Sequence, residues 1–209
     1  LQLNPRNAAA IINVAALNTG GSVTQGAAAT DVGNVYFLGN TTIPVAKTLT
    51  LTAGTLHTDG AADISGLTHS WGYFSSSGFS ITKVLNLGNS NITVTAHWGS
   101  WVYNTGNGTL TEGNSIITCS GDGVTFDGGT ETYYDVRFTG TADINLYSTN
   151  TFTNLSRTHV GSKSEYITLN NTTTVTGTLT LTGNSAINRI LVRAPTLGTP
   201  KIITCSVAT

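Results

Sequence analysis

Apolar and polar positions alternate along most of the chain, in runs of about four to seven residues. In TLTLTAGTL (48–56) leucines alternate with threonines, and YYDVRFTG places Tyr134, Val136 and Phe138 on one face. Gly, Asn, Ser and Asp separate the runs, and these residues favour turns. This period of two predicts half-buried strands joined by tight turns from Val35 onward.

The first 34 residues have a different pattern. In LQLNPRNAAAIINVAALN, Pro5 suits the first turn of a helix, and the alanines and leucine that follow are good helix formers. Three β-branched residues favour a strand or an extended arm instead: Ile11, Ile12 and Val14. We therefore expect an N-terminal arm or short helix with a loop over 1–34 and a β domain over 35–209.

Repeated words narrow the architecture. TLTLTAGTL at 48 returns as TLTLTGNSA at 178, and IITCS occurs twice, around the only two cysteines, Cys119 and Cys205. The 86 residues between the cysteines divide into four steps of about 21, within the range of repeat architectures. Such units favour an all-β parallel β-helix (a β-solenoid), in which each coil stacks its inward side chains on the next. A β-sandwich, which also uses short strands at regular spacing, is the alternative.

The solenoid hypothesis decides how the cysteines are interpreted. Coils stack about 4.8 Å apart, so residues four coils apart lie near 19 Å, beyond the ~7 Å between Cα atoms that a disulfide allows. A buried Cys behaves as a small hydrophobic residue. We therefore predict that Cys119 and Cys205 occupy core positions. Neither a C-x-x-C motif nor a His at ligand spacing indicates a metal there.

Composition limits the classes of function. Thr occurs 39 times and Gly 24 times, only 9% of the residues are charged, and the net charge is −1. A nucleic-acid-binding protein needs a basic face, whereas the nine Lys and Arg are scattered singly. No stretch approaches the ~20 apolar residues of a membrane span. We expect neither nucleic-acid binding nor membrane insertion, and we expect a virion, extracellular or cell-surface location.

The stretch GSWVYNTGNGTLTEGNSIITCSGDG (99–123) resembles a repeat of Gly/Thr/Asn-rich β-solenoid proteins of tailed-phage virions and bacterial surfaces. The pattern is Gly-x-Trp, an Asn/Gly turn, a strand, a Gly turn and a strand ending at Gly. The matching residues are Gly99, Trp101, Asn107, Gly108, Gly113 and Gly121. The resemblance extends over about 45–205, where TYYDVRFTG and NTFTNLS resemble further copies. It implies a parallel β-helix at a virion or cell surface, with Trp101 packed inside, and no catalytic residue.

The densest aromatic segments supply the candidate binding residues. Trp71 and Tyr73 lie in HSWGYFSSSGF and Trp98 lies in AHWGSWVY. Exposed Trp and Tyr stack on sugar rings or fill a partner's pocket. These three residues are our candidates for contact with a cell-surface glycan or a protein partner.

Acidic residues and histidines offer weaker candidates. His57 and Asp59 share a strand face, with Asp63 nearby, and GDGVTFDGG sets Asp122 and Asp127 in Gly-rich turns that more often serve as turns than as metal sites. A glycosidase needs two carboxylates about 5–10 Å apart. The best polar cluster is the pair Asp135 and Arg137, on the outward face of one strand. We predict no metal, cofactor or catalytic residue.

The resulting hypothesis is a non-enzymatic structural or adhesive module of a virion: a tail fibre, spike or decoration protein. It would act by self-association, by binding other structural proteins and by cell-surface contact. An open solenoid end leaves unpaired strand edges, which predicts a larger protein or an assembly. The alternatives are a bacterial surface adhesin and a carbohydrate-active β-helix enzyme, either a polysaccharide lyase or a hydrolase.

Overall fold

The protein is a parallel β-solenoid, seen in a computed structural model that describes residues 1–7, 9–15, 17–25, 33–43, 47–51, 54–58, 67–76, 83–95, 101–103 and 108–208. Its strands, numbered in chain order, form three sheets. Sheet A contains β1 (Gln2–Leu3), β4 (Val23–Gln25), β7 (Thr48–Leu51), β10 (Tyr73–Ser76), β13 (Trp101–Tyr103), β16 (Thr125–Asp127), β18 (Ile144–Tyr147), β20 (Glu165–Leu169) and β22 (Ile190–Arg193). Sheet B contains β2 (Ile11–Val14), β5 (Asn34–Phe37), β8 (Gly54–His57), β11 (Lys83–Asn86) and β14 (Gly108–Thr111). Sheet C contains β3 (Leu17–Asn18), β6 (Thr41–Thr42), β9 (Thr68–Trp71), β12 (Asn91–Val94), β15 (Ile116–Cys119), β17 (Thr132–Phe138), β19 (Asn150–Thr158), β21 (Thr173–Thr182) and β23 (Ile203–Ala208).

Each coil adds one parallel strand to each sheet, so equivalent side chains form columns inside the solenoid. In sheet A, Phe74 of β10 pairs with Leu49 of β7 on one side and with Trp101 of β13 on the other. All three side chains have 0% of their surface exposed. The threonines between the inward residues are half-buried on the outer face, where β-branched side chains suit a pleated surface. The predicted alternation therefore builds the core.

A repeated Gly-Asn-Ser turn connects sheet B to sheet C in two consecutive coils. Gly88 and Gly113 both have positive φ angles, of 53° and 54°. A Cβ atom at Gly113 would lie 2.2 Å from the carbonyl oxygen of Gly88, so the stacked turns leave no room for a side chain. Asn114 donates a backbone hydrogen bond of 2.9 Å to that same oxygen. The turn of one coil thus holds the turn of the next.

After β15 the coil changes shape, because sheet B has ended and each later coil carries one long strand of sheet C in place of separate strands of sheets B and C. In β17, Tyr133, Val136 and Phe138 are buried, whereas Tyr134 and Asp135 are only half-buried. Because the consecutive residues Tyr134 and Asp135 both lie off the core, the inward positions shift by one residue and the strand bends there. The same interruption recurs in β19, and β21 carries one further residue, which shifts the register between the two strands. The predicted inward position of Tyr134 is wrong, since Tyr133 takes it.

The N-terminal segment, for which we expected an arm or a short helix with a strand as the alternative, forms β2 and β3 of the solenoid. Ile12 and Val14 pack against the core, and they pair with Val35 and Phe37 of β5. Burial of these β-branched side chains outweighs the helix propensity of the neighbouring alanines. The described residues contain no helix that is long and apolar enough to cross a membrane.

The two cysteines lie in strands of sheet C that are four pairings apart, as the spacing predicted. The path runs from β15 through β17, β19 and β21 to β23. Cys119 is buried in the core, and burial raises the pKa of its thiol, so the thiol is unreactive. Cys205 is half-buried against the same core, and both thiols are free. They do not share a column, because Cys119 aligns with Phe138 whereas Cys205 aligns with Val175.

Candidate functional site

The three candidate binding aromatics do not form one surface. Trp71 is fully buried with 0% exposure, so its proposed role as a surface contact is wrong. Tyr73 is half-buried on the outer face of β10, and Trp98 lies outside the described residues. Trp101 is buried, as its match to the repeat predicted. Trp71 faces inward because THSW alternates two inward residues, His69 and Trp71, with two outward ones.

Inside the solenoid the aromatic rings form a continuous stack. The ring centroids of Trp71 and Phe74 are 5.9 Å apart, those of Phe74 and Trp101 are 4.4 Å apart, and those of Trp101 and Phe126 are 6.1 Å apart. Tyr133 meets both Trp101 and Phe126 edge-on. Such contacts add to the stabilisation by burial alone. The aromatics are therefore packing residues of the core.

A chain of buried hydrogen bonds crosses the core beside this stack. The indole N–H of Trp71 donates to the hydroxyl of Thr41 over 2.8 Å, and that hydroxyl lies 2.9 Å from Nδ1 of His69. Nε2 of His69 lies 2.6 Å from the backbone oxygen of Thr58, whose hydroxyl contacts Ser90 at 2.8 Å. Burial lowers the pKa of His69 and outweighs the opposing effect of the Thr58 bond. The neutral imidazole thus belongs to a hydrogen-bonded chain that links segments of three coils.

The other metal-ligand candidates have structural contacts. His57 stacks on Tyr36 with a centroid distance of 4.1 Å and contacts Asn34 and Asn86, each at 3.3 Å. Asp59 and Asp63 lie outside the described residues. Among the residues that the structure describes, no three His, Cys, Asp or Glu side chains are grouped as metal ligands require.

The two aspartates of the Gly-rich turns bind the following coil. Asp122 accepts hydrogen bonds from the backbone N–H of Thr141 at 2.9 Å and from its hydroxyl. Asp127 accepts a hydrogen bond from the hydroxyl of Ser148. The pair Asp135 and Arg137 lies on the outer face as predicted, with a distance of 2.6 Å between Oδ2 and Nη2.

A buried ionic cluster, which sequence reasoning missed, lies at the corner between β19 and β20. Arg157 pairs with Glu165, and these side chains have 2% and 1% of their surface exposed. Arg157 also donates to the backbone oxygens of Gly140 and Ala142, at 2.7 and 3.1 Å. His159 lies 3.7 Å from the second carboxylate oxygen of Glu165. The cluster ties two loops together, which no local pattern around Arg157 indicates.

A second missed site lies where sheet B ends at β14. Glu131, in the following coil, accepts a hydrogen bond from the backbone N–H of Leu110 in β14. Partial burial raises the pKa of Glu131, and the nearby charge of Glu112 raises it further. The buried hydroxyl of Tyr103 has no hydrogen-bond partner among the described residues. This site, which we call the β14 edge, comprises β14 with Tyr103, Glu112 and Glu131.

More than half of the exposed large hydrophobic side chains among the described residues lie in the C-terminal coil. Six of the large hydrophobic side chains that are exposed lie in this coil: Ile187, Leu191, Val192, Leu197, Ile202 and Val207. Contiguous exposed apolar surface marks interaction sites in folded proteins. The strands β22 and β23 also form the edges of sheets A and C at this end.

The chain matches no protein-family model, no curated protein and no solved structure.

Proposed function

We propose that the protein is a non-enzymatic structural module of a virion or cell-surface assembly, acting by self-association and surface contact. The observation that carries this proposal is the role of the acidic side chains. Four carboxylates each accept a hydrogen bond from the neighbouring coil: Asp122, Asp127, Glu131 and Asp143. Two others form ion pairs with arginines, Asp135 at the surface and Glu165 in the core. Acids that join coils support a scaffold role.

The apolar C-terminal coil supports self-association as the means of assembly. Its exposed side chains lie beside the edges of two sheets, and a second solenoid segment offers both matching strand edges and apolar surface. In this proposal the protein forms oligomers or filaments through this coil.

Substitution of one exposed isoleucine at each end tests the proposal. Ile202 and Ile11 each have 59% of their surface exposed, at the C-terminal and N-terminal coils respectively. We expect Ile202→Asp to convert oligomers to monomers in light scattering, and negative-stain images to lose any filaments. If Ile11→Asp has the same effect, the contact is head-to-tail; if it has none, the contact joins two C-terminal coils. Val160→Asp, which changes a 51% exposed residue at neither end, is the control.

A compact monomer at all protein concentrations would contradict the proposal.

The second candidate, a carbohydrate-active enzyme, is favoured by one observation: Glu112 and Glu131 are neighbouring carboxylates, and one has a raised pKa. If the protein is such an enzyme, it releases reducing ends from a polysaccharide, and the Glu131→Gln variant no longer does so. No reducing-end release from a panel of surface polysaccharides would exclude glycoside hydrolysis of them.

A further inference from the structure

The outer edge of β14 is an open strand edge within the solenoid, since sheets A and C continue past it. On its inner side β14 pairs with β11, where Leu87 donates a backbone hydrogen bond of 2.9 Å to Thr111. Backbone groups of a parallel strand point to alternate sides, so those of Gly108 and Leu110 point away from β11. No described strand pairs with them there.

Glu131 occupies part of the position that a further strand of sheet B would take. Its carboxylate accepts the hydrogen bond of the Leu110 N–H, and so replaces one bond of the missing strand. The side chain is only half-buried, and the like charge of Glu112 disfavours its ionised form. This contact caps the edge with a group that a better partner can displace.

Tyr103 leaves a second polar group unsatisfied at the start of β14. Its hydroxyl is buried without a hydrogen-bond partner among the described residues, and it lies against Gly108, where a Cβ atom would be only 2.8 Å away. Lys83, the basic residue opposite Gly108 in β11, is buried on the inner face. The charge at the open edge itself is therefore that of the two glutamates.

We propose that the β14 edge binds an extended basic segment of a partner protein, which joins sheet B as an additional strand. The backbone of the segment replaces the Glu131 carboxylate at the Leu110 N–H and pairs with the other outward backbone groups of Gly108 and Leu110. A Lys or Arg of the segment pairs with Glu112 and Glu131 and removes their mutual repulsion. The partner is thus recognised by extended conformation and positive charge. This site is independent of assembly through the C-terminal coil.

Backbone amide NMR spectra of the full chain test this proposal with two peptides. The first is acetyl-Thr-Lys-Val-Lys-Val-Thr-amide, whose two lysines share one face of an extended strand, and the second has Glu in place of both lysines. We expect saturable shifts of the Gly108 and Leu110 amides with the lysine peptide, and about tenfold weaker binding of the glutamate peptide, as two partly exposed ion pairs would give.

Two variants separate the charge effect from loss of fold. Glu112→Gln together with Glu131→Gln should abolish the preference for the lysine peptide while the remaining amide signals stay in place. Asp135→Asn removes one negative charge from the outer face of sheet C and should leave the preference unchanged. Absence of saturable shifts at millimolar peptide would overturn the proposal, as would equal binding of both peptides. Calcium chloride alone shifting the same amides would assign the site to a cation instead.

Discussion

The coils before and after β15 enclose their cores differently. In the earlier coils three short strands form three sides, and a Gly-Asn-Ser turn separates sheets B and C in two of them. In the later coils one long strand of sheet C replaces the separate strands of sheets B and C, and it bends where consecutive residues lie off the core. The corner is made by a turn in one region and by interrupted alternation in the other. Coils with two different cross-sections therefore stack in the same solenoid.

The two regions also differ in their buried polar groups. The earlier coils contain the neutral chain around His69, which is built from hydroxyls, a backbone oxygen and an indole. The later coils contain the charged pair of Arg157 and Glu165. Neutral hydrogen bonds add a modest stabilisation, whereas a buried charge that loses its partner is strongly destabilising. The variants below test this difference at the junction and on each side of it.

The largest effect is expected at the junction, where Trp101 joins the aromatic stack of both regions. Trp101→Ala removes a fully buried ring and its hydrogen bond to Tyr133, so we expect a loss of about 3–5 kcal/mol in the free energy of unfolding. Denaturant unfolding measures this loss. Tyr73→Ala, which removes a half-buried outer aromatic from the neighbouring strand, should cost about 1 kcal/mol or less. Equal losses would refute the core role of Trp101.

Glu165→Gln in the later coils should have the next largest effect. It leaves the charge of Arg157 buried without its counter-ion, so we expect a loss of about 3 kcal/mol in the free energy of unfolding. The matched control is Asp135→Asn, which breaks the exposed pair with Arg137 and should cost below about 1 kcal/mol. If the two variants lose similar stability, the buried pair does not hold the two loops as described.

The smallest effect is expected from protonation of His69 in the earlier coils. Because its pKa is lowered in the folded state, its contribution to stability is fully present above the ordinary value of 6.5 and is lost as the pH falls below that value towards the folded pKa. A proton on Nδ1 places a charge in a buried site and ends the role of Nδ1 as the acceptor of the Thr41 hydroxyl, so we expect a loss of about 1 kcal/mol. Urea unfolding between pH 7 and 5 measures the loss. His69→Gln should flatten this profile.

The sequence predicted the elements that depend on local alternation and on repetition. Leucine–threonine alternation predicted the strands, and the twin IITCS predicted four coil steps between Cys119 and Cys205, because stacking requires similar coils. The bend at Tyr134 was not predictable, since alternation does not reveal where a strand leaves the core.

The candidate sites were less predictable than the strands. Trp71 was expected at the surface because it lies in one of the densest aromatic segments, and its hydrogen-bond partner Thr41 is 30 residues away in sequence. Glu131 gains its role from Leu110 in the preceding coil, and Arg157 gains its role from Glu165 and from the backbone oxygen of Gly140 in the loop after β17. These contacts depend on the register between coils, which only the folded structure provides.

The uniform spacing of paired strands has a consequence for how the chain folds. Register partners lie between 19 residues apart, as for Ile117 and Val136, and 30 residues apart, as for Thr173 and Ile203. The entropy lost on closing a loop rises only with the logarithm of its length, so each coil meets nearly the same barrier. A formed coil then serves as the template for its neighbour, and folding proceeds stepwise from a nucleus. The long strands β19 and β21, which share the most extended pairing, are the expected nucleus.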